Sequence, residues 1–217
     1  MWVATGDLDI FTDTPPRKRG RRRLEEGPAL DRDRLITALL TIVEREGLAA
    51  INMRRLARDL DVSPRLIYHH VRDKETMLVT LFDEILARHM PTLDGLAWDD
   101  TLREVAATAR RAYSRYPGVA AAILARSANA TVQPHAAMIR AAVLRALAAA
   151  GLDRDQIEAA YVQFSVLVLG SLVLSENLTQ STRALAVARW RIEQSVELGL
   201  DLLLTGIRRL ASQESRC

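Results

Sequence analysis

Cysteine is almost missing: Cys217, the last residue, is the single one in 217 positions. No intramolecular disulfide or cysteine cluster can therefore organise the fold. Aromatic residues make up only 5%, and that scarcity argues against a core built from strands, which draw on aromatic and β-branched side chains. An export signal is not expected either, since MWVATGDLDIFTDTPP places Asp7, Asp9 and Asp13 where a basic region and an apolar run belong. No later stretch is expected to stay apolar long enough to span a bilayer. The expectation is a cytoplasmic protein without a membrane partner. Glycine-rich phosphate loops, nucleophile elbows and HExxH-type ligand sets are also lacking, so no cofactor is expected and an all-helical enzyme ranks low.

What is present is Ala, Leu and Arg in quantity, within a chain 49% hydrophobic and 26% charged. Those residues lose least on helix formation, so the expected fold is all-α. Net charge is only +3, but Arg17, Lys18, Arg19, Arg21, Arg22 and Arg23 cluster around Gly20. Such a block is a solvated tail or a nucleic-acid-binding arm.

Helical periodicity begins with Leu35, Ala38, Leu39, Ile42 and Val43 and is stopped by Gly47. Asn52 can cap a second helix carrying Met53, Leu56, Ala57 and Leu60. After a tight Asp61-Val62 connection, Ser63 can cap a third helix with Pro64 at its first position, where a missing N–H costs nothing. Asp73 then caps a longer fourth helix, closed by Pro91. Longer Ala- and Leu-rich segments follow: Asp100 to Arg115, Pro117 to Arg126, Pro134 to Ala150, Asp155 to Glu176 and Ser181 to Leu210. The expected organisation is a basic arm (1–29), a three-helix unit (30–76) and a larger helical domain (77–217).

The third helix has a thin apolar side. Ile67 and Val71 share one face, whereas Arg65, Tyr68 and His69 fall together on another, flanked by Leu66 and His70. Two helices joined by so short a turn form the unit that enters a DNA major groove. Arg65 suits a guanine edge, His69 a base acceptor or phosphate, Tyr68 a phosphate and Leu66 a thymine methyl. Lys74, at the start of the fourth helix, could grip a phosphate with the helix N-terminus, or be a solvated lysine beside Asp73 and Glu75. Arg54 and Arg55 could reach the backbone or an adjacent base, and Asn52 a phosphate while capping. The alternatives are an ordinary cap and a wet helix face. Adjacent His69 and His70 diverge around a helix and make no metal site.

The stretch INMRRLARDLDVSPRLIYHHVRDKETML, Ile51 to Leu78, resembles the DNA-binding segment of the TetR family of bacterial transcriptional repressors. LARDLDVS and LIYHHVRDKETML are its most specific pieces. The resemblance implies DNA contacts at Asn52, Arg54, Arg65, Leu66, Tyr68, His69 and Lys74. Asp61 departs from the family's usual glycine, and Arg65 and Leu66 replace small residues. FDEILARHM, GLDRDQIEAAYVQFSVLVLGSLVLSE and VELGLDLLLTGIRRL resemble the C-terminal domain of the tetracycline-repressor branch. They imply an effector pocket and a homodimer through the last two long helices.

The dimer has support of its own, because Ile157 to Leu174 and Ile192 to Leu210 are apolar over more than one face. Gly170 and Ser171 would permit close helix approach there. Candidate pocket residues are His89, Tyr113, Met138, Gln163 and Phe164, where polar or polarizable groups interrupt apolar helices. Trp98 reads as a staple at a helix start. The expected function is a repressor that holds a palindromic double-stranded operator as a homodimer and is released by a small-molecule effector. A non-specific nucleic-acid binder acting through the basic arm is the competing reading.

Overall fold

The computed structural model describes residues 30–71, 73–126, 133–179 and 185–214. The basic block, the N-terminal segment and Cys217 lie outside the described residues. Every regular element among the described residues is helical, in the order α1 (Arg32–Glu46), a 3₁₀ turn (Leu48–Ala50), α2 (Met53–Asp59), α3 (Pro64–His70), α4 (Lys74–Ala87), α5 (Trp98–Tyr113), α6 (Val119–Arg126), α7 (Pro134–Ala149), α8 (Arg154–Thr179) and α9 (Leu185–Glu214).

Local chemistry sets the first boundaries. Asp31, Asn52, Ser63 and Asp73 each stand in extended backbone and accept a hydrogen bond from an N–H in the first turn of the helix they precede, which satisfies donors that the helix cannot. α5 starts two residues earlier than expected, at Trp98. Its cap, Ala97, makes no side-chain bond, and the acidic residues Asp99 and Asp100 lie within the first turn rather than before it.

Two cores form. The first joins α1, α2, α3 and α4 through Leu39, Val43, Leu56, Ile67, Met77, Leu81 and Ile85, and it takes in Tyr113 and Tyr116. α4 shares this core with the three helices before it and packs against α1, α5 and α7. The second core gathers Leu102, Val105, Val143, Leu147, Phe164, Val168, Leu204 and Ile207 from α5, α7, α8 and α9.

α8 and α9 approach closely at Gly199, where an added Cβ would lie 2.8 Å from Leu167 Cδ1. Gly170 on α8 has nothing within 4 Å in this protomer, which leaves its side of the helix open to a second copy. One expectation needs correcting: α8 between Arg154 and Asn177 is long and apolar enough to cross a membrane by length and composition. The serines that interrupt it donate to carbonyls of their own helix, Ser165 to Tyr161, Ser171 to Val168 and Ser175 to Ser171. Their polarity is thus satisfied internally. α8 packs against α5, α6, α7 and α9, and Val162, Val166 and Leu174 stay exposed on it, as do Leu198, Leu202 and Leu210 on α9.

Candidate nucleic-acid interface

The turn between α2 and α3 is built by hydrogen bonds that close the end of α2. The Asp61 N–H donates to the Arg58 carbonyl at 3.1 Å, and the Val62 N–H reaches back to Ala57 at 2.9 Å. This pattern requires a left-handed residue between the helices. Asp61 takes that role with φ 54°, in the position where glycine would be unstrained. From α1, the Arg34 guanidinium donates to the Leu60 carbonyl at 2.9 Å and pins the turn to the helix behind it.

α3 is thereby held by its apolar side alone. Ile67 is fully buried and Val71 nearly so, whereas Arg65, His69 and His70 are exposed and Tyr68 is 51% exposed. Leu66 is half-buried at the edge of the core. The His69 and His70 rings meet edge to face, 6.0 Å between centroids. Ser63, Arg65, Leu66, Tyr68 and His69 line one open surface concavity of about 460 Å³. Its side chains offer a guanidinium, a phenol and an imidazole around an apolar patch, which matches the mixture of edges, methyls and phosphates in a major groove.

Around this face stand the other candidates. Asn52 and Arg54 are exposed at the start of α2, and the Asn52 side chain is engaged as a cap, 2.9 Å from the Arg54 nitrogen. Lys74 is exposed as the first residue of α4. Arg55 is different, because it pairs with Glu46 of α1 and with Asp59. The Glu46 carboxylate raises its pKa, and Arg55 in turn holds Glu46 low. Arg55 is thus a brace between α1 and α2. Its partner lies nine positions back, in another helix, so spacing within α2 gave no hint of it.

The five pocket candidates do not line one site. Tyr113 and Phe164 are buried, but in separate cores. His89 is half-buried and its Nδ1 lies 2.9 Å from the Ile85 carbonyl of its own helix. Met138 is 58% exposed and Gln163 is exposed. Polar interruption of an apolar helix marks either an interior position or an outer face, and at Met138 and Gln163 it marks an outer face. Sequence reasoning missed Asp83, a buried carboxylate on α4 that accepts from the backbone N–H groups of His135 and Ala136, each at 3.0 Å, and lies 2.9 Å from His135 Nδ1. Burial, and after it the Asp83 charge, pushes the Tyr113 hydroxyl pKa up. No group of three or more His, Cys, Asp or Glu suited to a metal occurs among the described residues.

No family model matches the chain. A helix-turn-helix transcriptional regulator of Saccharopolyspora erythraea is 30% identical over 158 residues, covering 72% of this chain and 64% of that protein. The class D tetracycline repressor of Escherichia coli is 36% identical over 91 residues, 40% of this chain and 41% of the repressor. Among solved structures, Mycobacterium smegmatis BioQ superposes with a TM-score of 0.72 at 29% identity, covering 83% of this chain and 99% of BioQ. The chain is similar in sequence and fold to transcriptional regulators of the TetR family. Its matches span about two-thirds of the first of these curated relatives and about two-fifths of the second. A second BioQ structure, with its double-stranded DNA operator, superposes at TM-score 0.69 and 29% identity, covering 82% of this chain and 98% of BioQ.

Proposed function

We propose that this chain is a ligand-responsive repressor that binds a palindromic operator as a homodimer and is released by a small-molecule effector. One observation carries the reading: α3, held by Ile67 and Val71, turns Arg65, Tyr68 and His69 outward around an open concavity. Arg65 reads a guanine edge, Leu66 meets a thymine methyl, His69 and Tyr68 reach phosphate or base acceptors, and Asn52, Arg54 and Lys74 hold the flanking backbone. BioQ, 29% identical, was solved with its operator, which supports the same role here.

The second copy is supplied by the apolar residues that one protomer leaves uncovered, Val162, Val166 and Leu174 on α8 and Leu198, Leu202 and Leu210 on α9. A two-fold pairing of these helices would bury them and present two α3 helices to successive major grooves, about 34–36 Å apart. It also accounts for the apolar length of α8 without a membrane, and we propose the cytoplasm as the protein's location, with its DNA. We divide the chain into the arm at 1–29, the reading unit at 30–76 and the effector and dimerisation domain at 77–217, with α4 spanning the join. Within that domain the interior Tyr113 and Phe164 are the better pocket candidates, since His89 is engaged by its own helix and Met138 and Gln163 face outward.

A gel-shift titration on the DNA upstream of its own gene, followed by footprinting, tests the proposal. Two protected half-sites one helical turn apart are expected; uniform protection without preference would favour binding through the basic arm.

A further inference from the structure

The end of α6 and the start of α7 are both attached to α4. α6 ends at Arg126, whose Nε and Nη2 donate to Glu75 Oε1 at 2.5 Å and Oε2 at 2.9 Å. α7 begins with the N–H groups that Asp83 accepts. The two attachments lie about 12 Å apart along α4. The inner one is buried and involves a carboxylate 7% exposed. The outer one sits at the end of α4 that carries Lys74.

Charge at that end is delicately balanced. Asp73 caps α4, Lys74 and Glu75 follow, and Glu75 sets a carboxylate directly beside the lysine that would approach a phosphate. Arg126 offsets the Glu75 charge. Its guanidinium is organised for the task, since Nη1 donates to the Ala122 carbonyl at 3.1 Å and the Phe82 ring lies 5.9 Å away on its face. The pair with Glu75 is bidentate, the geometry in which an ion pair is best defined. Hydrogen bonding to Arg126 holds the Glu75 carboxyl below the usual carboxylate range. An exposed pair of this kind adds little to stability, so its larger effect falls on the local field.

We infer that Arg126, carried by the C-terminal domain, is a positioning residue of the DNA-binding surface: it cancels the Glu75 charge beside Lys74, and withdrawing it leaves a bare carboxylate facing the phosphate backbone. The inference rests on the DNA-binding role proposed for α3 and Lys74. A movement of α6 that withdraws Arg126 then weakens operator binding through charge.

The test is a double-mutant cycle with Arg126→Gln, Glu75→Gln and the pair together, reading operator affinity by fluorescence anisotropy over a range of salt. Arg126→Gln should weaken binding about tenfold at about 0.1 M salt, with the deficit narrowing as salt rises. Adding Glu75→Gln should restore affinity to within about twofold of wild type. Arg126→Lys, which keeps the charge without the bidentate geometry, should retain most of the affinity, and thermal melting should barely move for any of the four. The inference is overturned if Arg126→Gln binds like wild type, if the double variant stays as weak as Arg126→Gln, or if Arg126→Lys is equally weak. Arg65→Ala serves as the separate control: a variant that binds the operator undiminished refutes the reading of α3 itself.

Discussion

The Asp83 carboxylate on α4 caps α7 from 52 positions away, accepting the His135 and Ala136 N–H groups at 3.0 Å each. Gln133, the residue before α7, makes no side-chain cap, and Pro134 has no N–H to satisfy. Replacing Asp83 with Ala leaves two helix-end donors without an acceptor in a buried place. That loss should cost about 2–4 kcal/mol in urea unfolding. Asp83→Asn keeps one acceptor oxygen and should cost roughly half as much. An unchanged midpoint for Asp83→Ala would mean the cap is dispensable.

Asp61 carries the turn between α2 and α3 at φ 54°. Glycine there relieves about 1–2 kcal/mol of left-handed strain, while loosening the unfolded chain costs about 0.4–1 kcal/mol. Strain relief is the larger effect, so Asp61→Gly should stabilise the protein by about 0.5 kcal/mol. A lower melting temperature would contradict the turn geometry.

Glu176 on α8 gives a pH signature. Burial raises its pKa, and the Gly118 N–H donating to Oε2 at 2.8 Å opposes this only in part. A folded state that raises a carboxyl pKa binds the proton more tightly than the unfolded chain. The resulting penalty is absent below the unfolded value, grows as pH rises towards the folded one and is complete above it. Glu176→Gln, which keeps an acceptor for Gly118, should therefore be more stable than wild type at neutral pH, with the advantage fading in acid. Equal stability at pH 7 would show that burial does not penalise the charge.

Leu202 is 64% exposed on α9, in line with the other uncovered apolar residues of α8 and α9. Leu202→Lys should raise the dimer dissociation constant by about tenfold or more, with helicity by circular dichroism unchanged. Sedimentation reads the outcome, and a variant as dimeric as wild type would move the interface elsewhere.

Much of the reading unit was legible because its signals are local. Asn52, Ser63-Pro64 and Asp73 mark three helix starts within one turn of the donors they satisfy, and the alternation of Ile67 and Val71 with Arg65, Tyr68 and His69 fixes which face of α3 is wet. The helices from α5 onward were less legible. Whether Met138 or Phe164 points inward depends on which helix lies opposite, and that is decided across the bundle. Asp83 with His135 and Glu75 with Arg126 are partners more than 50 positions apart, beyond the reach of any pattern along one helix. Cys217 and the basic block contribute nothing to this comparison, since they lie outside the described residues.

Operator affinity of Arg65→Ala and Tyr68→Ala, measured beside wild type at one salt concentration, tests the central claim most directly. Both side chains are exposed and leave the core intact, so folding should be preserved. The account predicts a loss of about 1–3 kcal/mol in binding for Arg65→Ala, with weakened discrimination at one base pair, and about 1 kcal/mol or more for Tyr68→Ala, spread evenly over sequences. Both variants binding the operator as tightly and as selectively as wild type would contradict it.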